Sequence, residues 1–177
     1  MIRMRKAKAV LGSLVFLCVA PGTVVGLLPW WISHWRPGPA VPAQGLLTAV
    51  GWVLIVVGVA TLLHSFLRFI VEGLGTPAPV AETEHLVVGG LYRFVRNPMY
   101  VAVDMAILGQ AAVLRSTSLL VYWVVVSLGQ AAFVHFYEEP RLLARYGESY
   151  AEYRRQVPAW FPRWGRRERS AADESAS

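Results

Sequence analysis

The sequence predicts an all-α integral membrane protein with about four transmembrane helices. The last two form a tight helical hairpin, and an interfacial helix follows on the cytoplasmic side. Three observations predict this class. The chain has 177 residues, of which 55% are hydrophobic and only 16% charged, and its mean hydropathy is +0.45; soluble domains of this length carry more charge. Its apolar residues gather in runs close to the ~20 residues that cross a bilayer. Its basic residues give a net charge of +6 but flank those runs. The excess charge therefore reads as membrane topology and not as a nucleic-acid surface.

The first span runs roughly from Ala9 to Trp31, with an interruption at Pro21-Gly22. Its start, MIRMRK, imitates a secretory signal. The apolar run resumes after the interruption without a small-x-small cleavage site, which favours an uncleaved span. The second span covers roughly Leu46 to Val71, the third Pro98 to Leu114 and the fourth Leu119 to Tyr137. Only Arg115-Ser116-Thr117-Ser118 parts the last two, hence the hairpin. Arg3, Arg5, Lys6 and Lys8 place the N-terminus in the cytoplasm. Alternation then puts Arg36 and Arg115 outside, and the Glu72–Asn97 loop and the C-terminal tail inside. Trp30, Trp31 and Trp35 make an outer aromatic belt; Trp160, Phe161 and Trp164 sit at the inner interface. The single cysteine, Cys18, excludes an internal disulfide and a cysteine-based metal site.

Polar chemistry gathers on the inner side. The loop EGLGTPAPVAETEHLVVGGLYRFVRNP lacks the Gly-Lys-Ser/Thr of a phosphate loop and the strand-borne GxGxxG of a dinucleotide site. Asn97-Pro98 is a good helix start, with Asn as cap and Pro at the first position. Taken alone, GLYRFVRNPMY reads equally well as an interfacial belt of arginines and tyrosines. Helical spacing also places Asn97, Tyr100 or Val101, and Asp104 on one face. Asp104 lies about 9 Å beyond the helix start at ~1.5 Å per residue, and a carboxylate there requires a polar cavity or a partner. His64, Arg68 and Glu72 recur at i, i+4 and i+8 on the second span, so an Arg68–Asp104 or Arg68–Glu72 pair is one expectation. Glu138-Glu139 reads as a helix end closed by Pro140, where carboxylates are mildly unfavourable. Tyr146, Tyr150 and Tyr153, with Arg145, Arg154 and Arg155, predict an amphipathic surface helix. LGQAA occurs twice, at Leu108–Ala112 and Leu128–Ala132; small residues that let the hairpin helices pack closely, with Gln bonding across, account for it better than a duplication.

GLGTPAPVAETEHLVVGGLYRFVRNPMY, followed about forty residues later by YEEPRLLARYGESYAEYRRQVPAWFPR, resembles the isoprenylcysteine carboxyl methyltransferase family. The likeness is strongest to its small bacterial members, and the related phospholipid methyltransferases share much of it. The resemblance covers roughly Glu72 to Arg163. It implies a catalytic region over 72–163; hydropathy places helices 1 and 2 over 1–71 before it, and the charged, small-residue composition of 164–177 predicts a disordered tail. The resemblance implies S-adenosylmethionine as cofactor and a lipophilic small-molecule or lipidated acceptor. Localisation in a bacterial cytoplasmic membrane follows, with both termini and the active site facing the cytoplasm. By resemblance, Glu84, His85, Leu86, Val87, Tyr92, Asn97, Pro98, Met99, Tyr100 and Glu138 bind the cofactor. Glu138, Glu139 and His135 carry the chemistry, and no metal is needed. Two positions depart from the family's eukaryotic enzymes. Asn97 stands where they have histidine, and Val134 stands where they have an arginine implicated in the prenylcysteine substrate. Carboxyl O-methylation is the activity implied first, with N-methylation of an ethanolamine-type phospholipid as the alternative. Of another class are an NADPH-dependent membrane reductase and a non-enzymatic scaffold.

Overall fold

The computed structural model describes Val15 and residues 18–72 and 86–162. Among the described residues there are five helices and no strand. They are α1 (Cys18–Ser33), α2 (Gln44–Glu72), α3 (Pro98–Leu114), α4 (Thr117–Tyr146) and α5 (Glu148–Gln156), with a 3-10 turn at Gly90–Arg93. The four apolar helices stand where four spans are expected. Two, α2 over Gln44–Arg68 and α4, are long and apolar enough to cross a membrane; α1 and α3 are apolar and shorter.

Sequence chemistry sets the ends of α3. Pro98 occupies its first turn, and Arg115 closes it in the left-handed region at φ 51°. Ser116 then caps α4 by accepting from the Leu119 N–H at 3.3 Å. Arg115 also ties down the loop after α1, donating to the carbonyls of Pro39 and Gly38 at 3.1 and 3.3 Å.

The most extensive packing is between α2 and α3, which run antiparallel. Glycines allow it. A Cβ on Gly51 would lie 2.7 Å from the Gly109 carbonyl oxygen, and one on Gly109 would lie 2.6 Å from that of Gly51. One heptad along, a Cβ on Gly58 would lie 2.8 Å from the Ala102 oxygen. These are backbone contacts that cannot yield cheaply, so any side chain at Gly51 or Gly109 forces the helices apart. The two LGQAA copies therefore do different jobs. Gly109 packs α3 on α2, whereas a Cβ on Gly129 would meet nothing within 4 Å beyond its own helix.

Two expectations about breaks are corrected. Pro21-Gly22 does not interrupt α1, which passes through it as a π-helical segment, Gly22–Leu27. Likewise Pro140 does not end α4. A π-helical segment, Val134–Glu138, precedes Glu139, and the helix continues to Tyr146. Glu138 and Glu139 thus lie inside a helix, at a widened turn. The physical reason is the same in both places. A π turn moves hydrogen bonds from i−4 to i−5, seen as Leu28 N–H to Thr23 O and Glu139 N–H to Val134 O, and Pro29 and Pro140 follow at the next position, where their missing N–H is absorbed. The segment expected to be one surface helix is instead the end of α4 and α5, parted by Gly147 at φ 54°.

Candidate active site

The site lies where the start of α3, the π segment of α4, the 3-10 turn and the C-terminal end of the described chain converge. Gly90 opens the turn in the left-handed region at φ 58°. It is pressed against α2: a Cβ there would lie 2.7 Å from His64 Nε2 and 2.8 Å from Arg68 Nε. Only glycine meets both demands. The turn then buries Tyr92 at 6% exposure. The Tyr153 hydroxyl of α5 donates to the Tyr92 carbonyl at 2.7 Å. Beyond α5 the chain folds back along the same segment. The Arg96 N–H donates to Pro158 O at 2.8 Å, and the Asn97 N–H to Ala159 O at 3.2 Å. This places the Trp160 ring 6.3 Å from Tyr100, centroid to centroid.

The two adjacent glutamates take different partners. The Tyr100 hydroxyl donates to Glu138 Oε2 at 2.9 Å, and Glu138 Oε1 has no hydrogen bond among the described residues. Glu139 is buried and accepts from Arg96 Nη1 at 2.7 Å. Arg154 lies 3.5 Å from its other oxygen, and Arg96 Nη1 also reaches the Tyr150 hydroxyl at 3.3 Å. Glu139 is therefore charge-compensated within the protein, and Glu138 keeps a free oxygen beside an aromatic wall. Asn97 is 8% exposed, its side chain does not cap α3, and its Nδ2 has no partner. A buried amide without a partner costs roughly 1–3 kcal/mol; a ligand acceptor would recover it.

Buried phenols back this wall. Burial pushes the Tyr92 hydroxyl well above its ordinary pKa, helped by the nearby Tyr153 and Glu138, while the Ser65 hydroxyl beside it pulls the other way. Burial also raises Tyr153, against the influence of Arg96. It raises Tyr150 too, with Glu139 adding to the shift and Arg96 opposing it. All three are neutral hydrogen-bonding groups at neutral pH.

Of the expected site residues, the structure brings Tyr92, Asn97, Pro98, Tyr100, Glu138 and Glu139 together. Val87 is buried, and Leu86 and Met99 are half-buried. Glu84 and His85 lie outside the described residues, as does Trp164. His135 is exposed, with its ring edge-on to Phe136 at 4.8 Å. Sequence reading missed the roles of Tyr150, Tyr153 and Trp160. Trp160 leaves the expected inner belt to pack on Tyr100, while Phe161 remains 83% exposed. Arg96, undecided between headgroups and the site, is the partner of Glu139; Arg93 is exposed. Asp104 does not pair with Arg68 on α2: it accepts from Ser127 Oγ on α4 at 2.6 Å; the alternative Arg68–Glu72 pair involves a side chain outside the described residues.

The sequence model of one family, phospholipid methyltransferase, matches residues 46–149, more than half of the chain. The chain belongs to the phospholipid methyltransferase family. The match takes in α2 from its third residue, the 3-10 turn, α3 and all of α4, so it contains Tyr92, Asn97, Tyr100, Glu138 and Glu139. It starts earlier than the region carrying the resemblance and stops before Tyr150, leaving Tyr153 and Trp160 outside. No curated protein and no solved structure matches the chain. Membership makes this a protein of a membrane methyltransferase family, in keeping with its two membrane-length helices.

Proposed function

We propose that the chain is an S-adenosylmethionine-dependent integral membrane methyltransferase acting on a lipophilic acceptor, with its site opening to the cytoplasm. One observation carries the reading. A half-satisfied carboxylate, Glu138, is held by the Tyr100 hydroxyl, and an unpartnered buried amide, Asn97 Nδ2, stands three residues before Tyr100 at the start of α3. The residues fit the cofactor's chemistry. S-adenosylmethionine supplies, when bound, a methyl group on a positively charged sulfur. Glu138 Oε1 and the Tyr100 and Trp160 faces suit a cation, and Asn97 Nδ2 suits a carboxylate or ribose oxygen. Tyr100 holds Glu138 in one orientation, and burial of Tyr92, Val87 and Val134 keeps water from that side. Orienting two reactants in such a site supplies a large share of a displacement's rate.

The family and Val134 support one reading of the acceptor. Position 134 is apolar and 4% exposed, so it offers no charge to a prenylcysteine carboxylate. An amine-bearing phospholipid is the reading we favour over carboxyl O-methylation.

Titration of the detergent-solubilised protein with S-adenosylmethionine tests the cofactor reading. Saturable binding is expected, weakened about tenfold or more in Glu138→Gln, since hydrogen bonds to charged groups contribute about 1.5–3 kcal/mol. Tight NADPH binding without S-adenosylmethionine binding overturns it. Transfer of labelled methyl into membrane extract, with the base stability of the product, separates an ester from an N-methyl group.

A further inference from the structure

We propose that the seam between α3 and α4, one turn from Tyr100, recognises an ammonium N–H of the acceptor, with Asp104 as its specificity-determining residue. The proposal deepens the methyltransferase reading and rests on it.

Asp104 sits within an apolar helix. A carboxylate there is costly without a compensating partner. Its Oδ1 accepts from Ser127 Oγ at 2.6 Å. No ion pair and no further hydrogen bond of Asp104 forms among the described residues, and the residue is half-buried. Three residues along α4 from Ser127, on the same face, Gln130 holds a buried Oε1 that also has no partner.

These observations go beyond a helix staple. A staple needs only a neutral group to accept from Ser127, and Asn would serve. A carboxylate with one oxygen left over, and an orphan amide carbonyl three residues from its partner Ser127, leave two unmet acceptors and a negative charge. Their complement is a charged donor. No cation among the described residues pairs with Asp104; Arg96, for one, bonds Glu139. An alkylammonium entering from the lipid side supplies both the N–H groups and the charge. Asp104 and Tyr100 are four residues apart on one helical face, roughly 6 Å at ~1.5 Å per residue. A headgroup held by Asp104 is therefore delivered to the Tyr100–Glu138 end of the same seam.

The test uses the full-length protein in dodecyl maltoside, with dodecylamine and dodecanol as probes and thermal stabilisation as the readout. Dodecylamine is expected to bind at least about tenfold more tightly than dodecanol, the scale of a hydrogen bond to a charged group. Asp104→Asn, which keeps an acceptor for Ser127, is expected to erase that preference. Gln130→Leu, which leaves the Asp104–Ser127 bond intact, is expected to reduce it several-fold, and it serves if Asp104→Asn does not fold. S-adenosylmethionine affinity, measured on the same samples, is expected to stay within about twofold in both variants, since neither side chain touches Glu138 or Asn97. No preference in the unmodified protein, or a preference that survives both substitutions, overturns the proposal. Absence of S-adenosylmethionine binding alongside an Asp104-dependent amine preference overturns the cofactor reading and leaves the subsite standing.

Discussion

Two π-helical segments in this chain are built alike and used differently. Gly22–Leu27 in α1 and Val134–Glu138 in α4 each end one residue before a residue whose N–H bonds i−5, with a proline next. In α1 the arrangement releases carbonyls. Pro29 has no N–H to give to Val25 in α register or to Val24 in π register. The Gln110 amide donates to Val25 O at 2.8 Å, and the Tyr122 hydroxyl donates to Val24 O at 2.9 Å. The widened turn thereby docks α1 onto both α3 and α4. In α4 no side chain among the described residues donates to the equivalent carbonyls of His135 and Phe136. There the extra residue in the turn sets the two glutamates toward different partners, Tyr100 and the Arg96 guanidinium. The same backbone device serves packing in one helix and site geometry in the other. A π turn by itself is therefore not a mark of function; the side chains it re-aims decide.

The comparison is broken most forcefully at the Arg96–Glu139 pair, whose side chains are only 11% and 10% exposed. Arg96→Ala leaves a buried carboxylate with only the longer, 3.5 Å contact to the half-exposed Arg154. A loss of about 3–5 kcal/mol is expected, read from chemical denaturation in detergent. Replacing both partners, Arg96→Met with Glu139→Leu, is expected to recover most of it, because the penalty is mainly that of an unpaired buried charge. Equal losses in the single and double variants would show that the pair acts through something other than charge compensation.

The prolines test the comparison directly. Pro140→Ala restores an N–H, allows α4 to return to α register and turns Glu138 away from Tyr100. Labelled methyl transfer is expected to fall about 100-fold, the scale of a 1 Å misplacement, with no loss of thermal stability. Pro29→Ala is expected to leave transfer within about twofold, because α1 touches none of Tyr100, Glu138 or Asn97. Comparable losses of transfer in the two variants would mean that the π segment of α4 has no special part in the site.

Much of this was legible in the sequence. The bounds of α2 and α3 fall within a few residues of the hydropathy reading, because apolar length and the Asn97-Pro98 step are local signals. Tyr100 and Glu138 are paired in space as their spacing and resemblance implied. What escaped depends on partners far along the chain. Pro140 reads as a terminator, since the π turn that absorbs it has no local signature. Glu138 and Glu139 look equivalent until Arg96 and Tyr100 choose between them. Trp160 looks like a belt residue because nothing local announces that Pro158 and Ala159 return to pair with Arg96 and Asn97. Asp104 was flagged as needing a partner; Ser127 could not be told from other polar residues of α4 without the helix register.

The smallest expected effects concern α1. Gln110→Leu and Tyr122→Phe each remove one donor from a carbonyl that the π turn and Pro29 leave open. Hydrogen bonds between helices of membrane proteins average about 0.6 kcal/mol, so each loss should be ~0.5–1 kcal/mol in a denaturation series. The two donors serve neighbouring carbonyls of one turn, so the double variant is expected to depart from additivity: once α1 is loosened from α3, its bond to α4 is worth less. Pro29→Ala in the same background is the sharper control. The new N–H can satisfy Val24 or Val25 from within α1, so it should rescue part of the loss from Gln110→Leu while adding nothing where Gln110 is intact. Rescue would show that the two side chains are there to answer the missing proline N–H. No rescue would mean that they hold α1 by packing, and that the likeness between the two π segments is one of backbone shape alone.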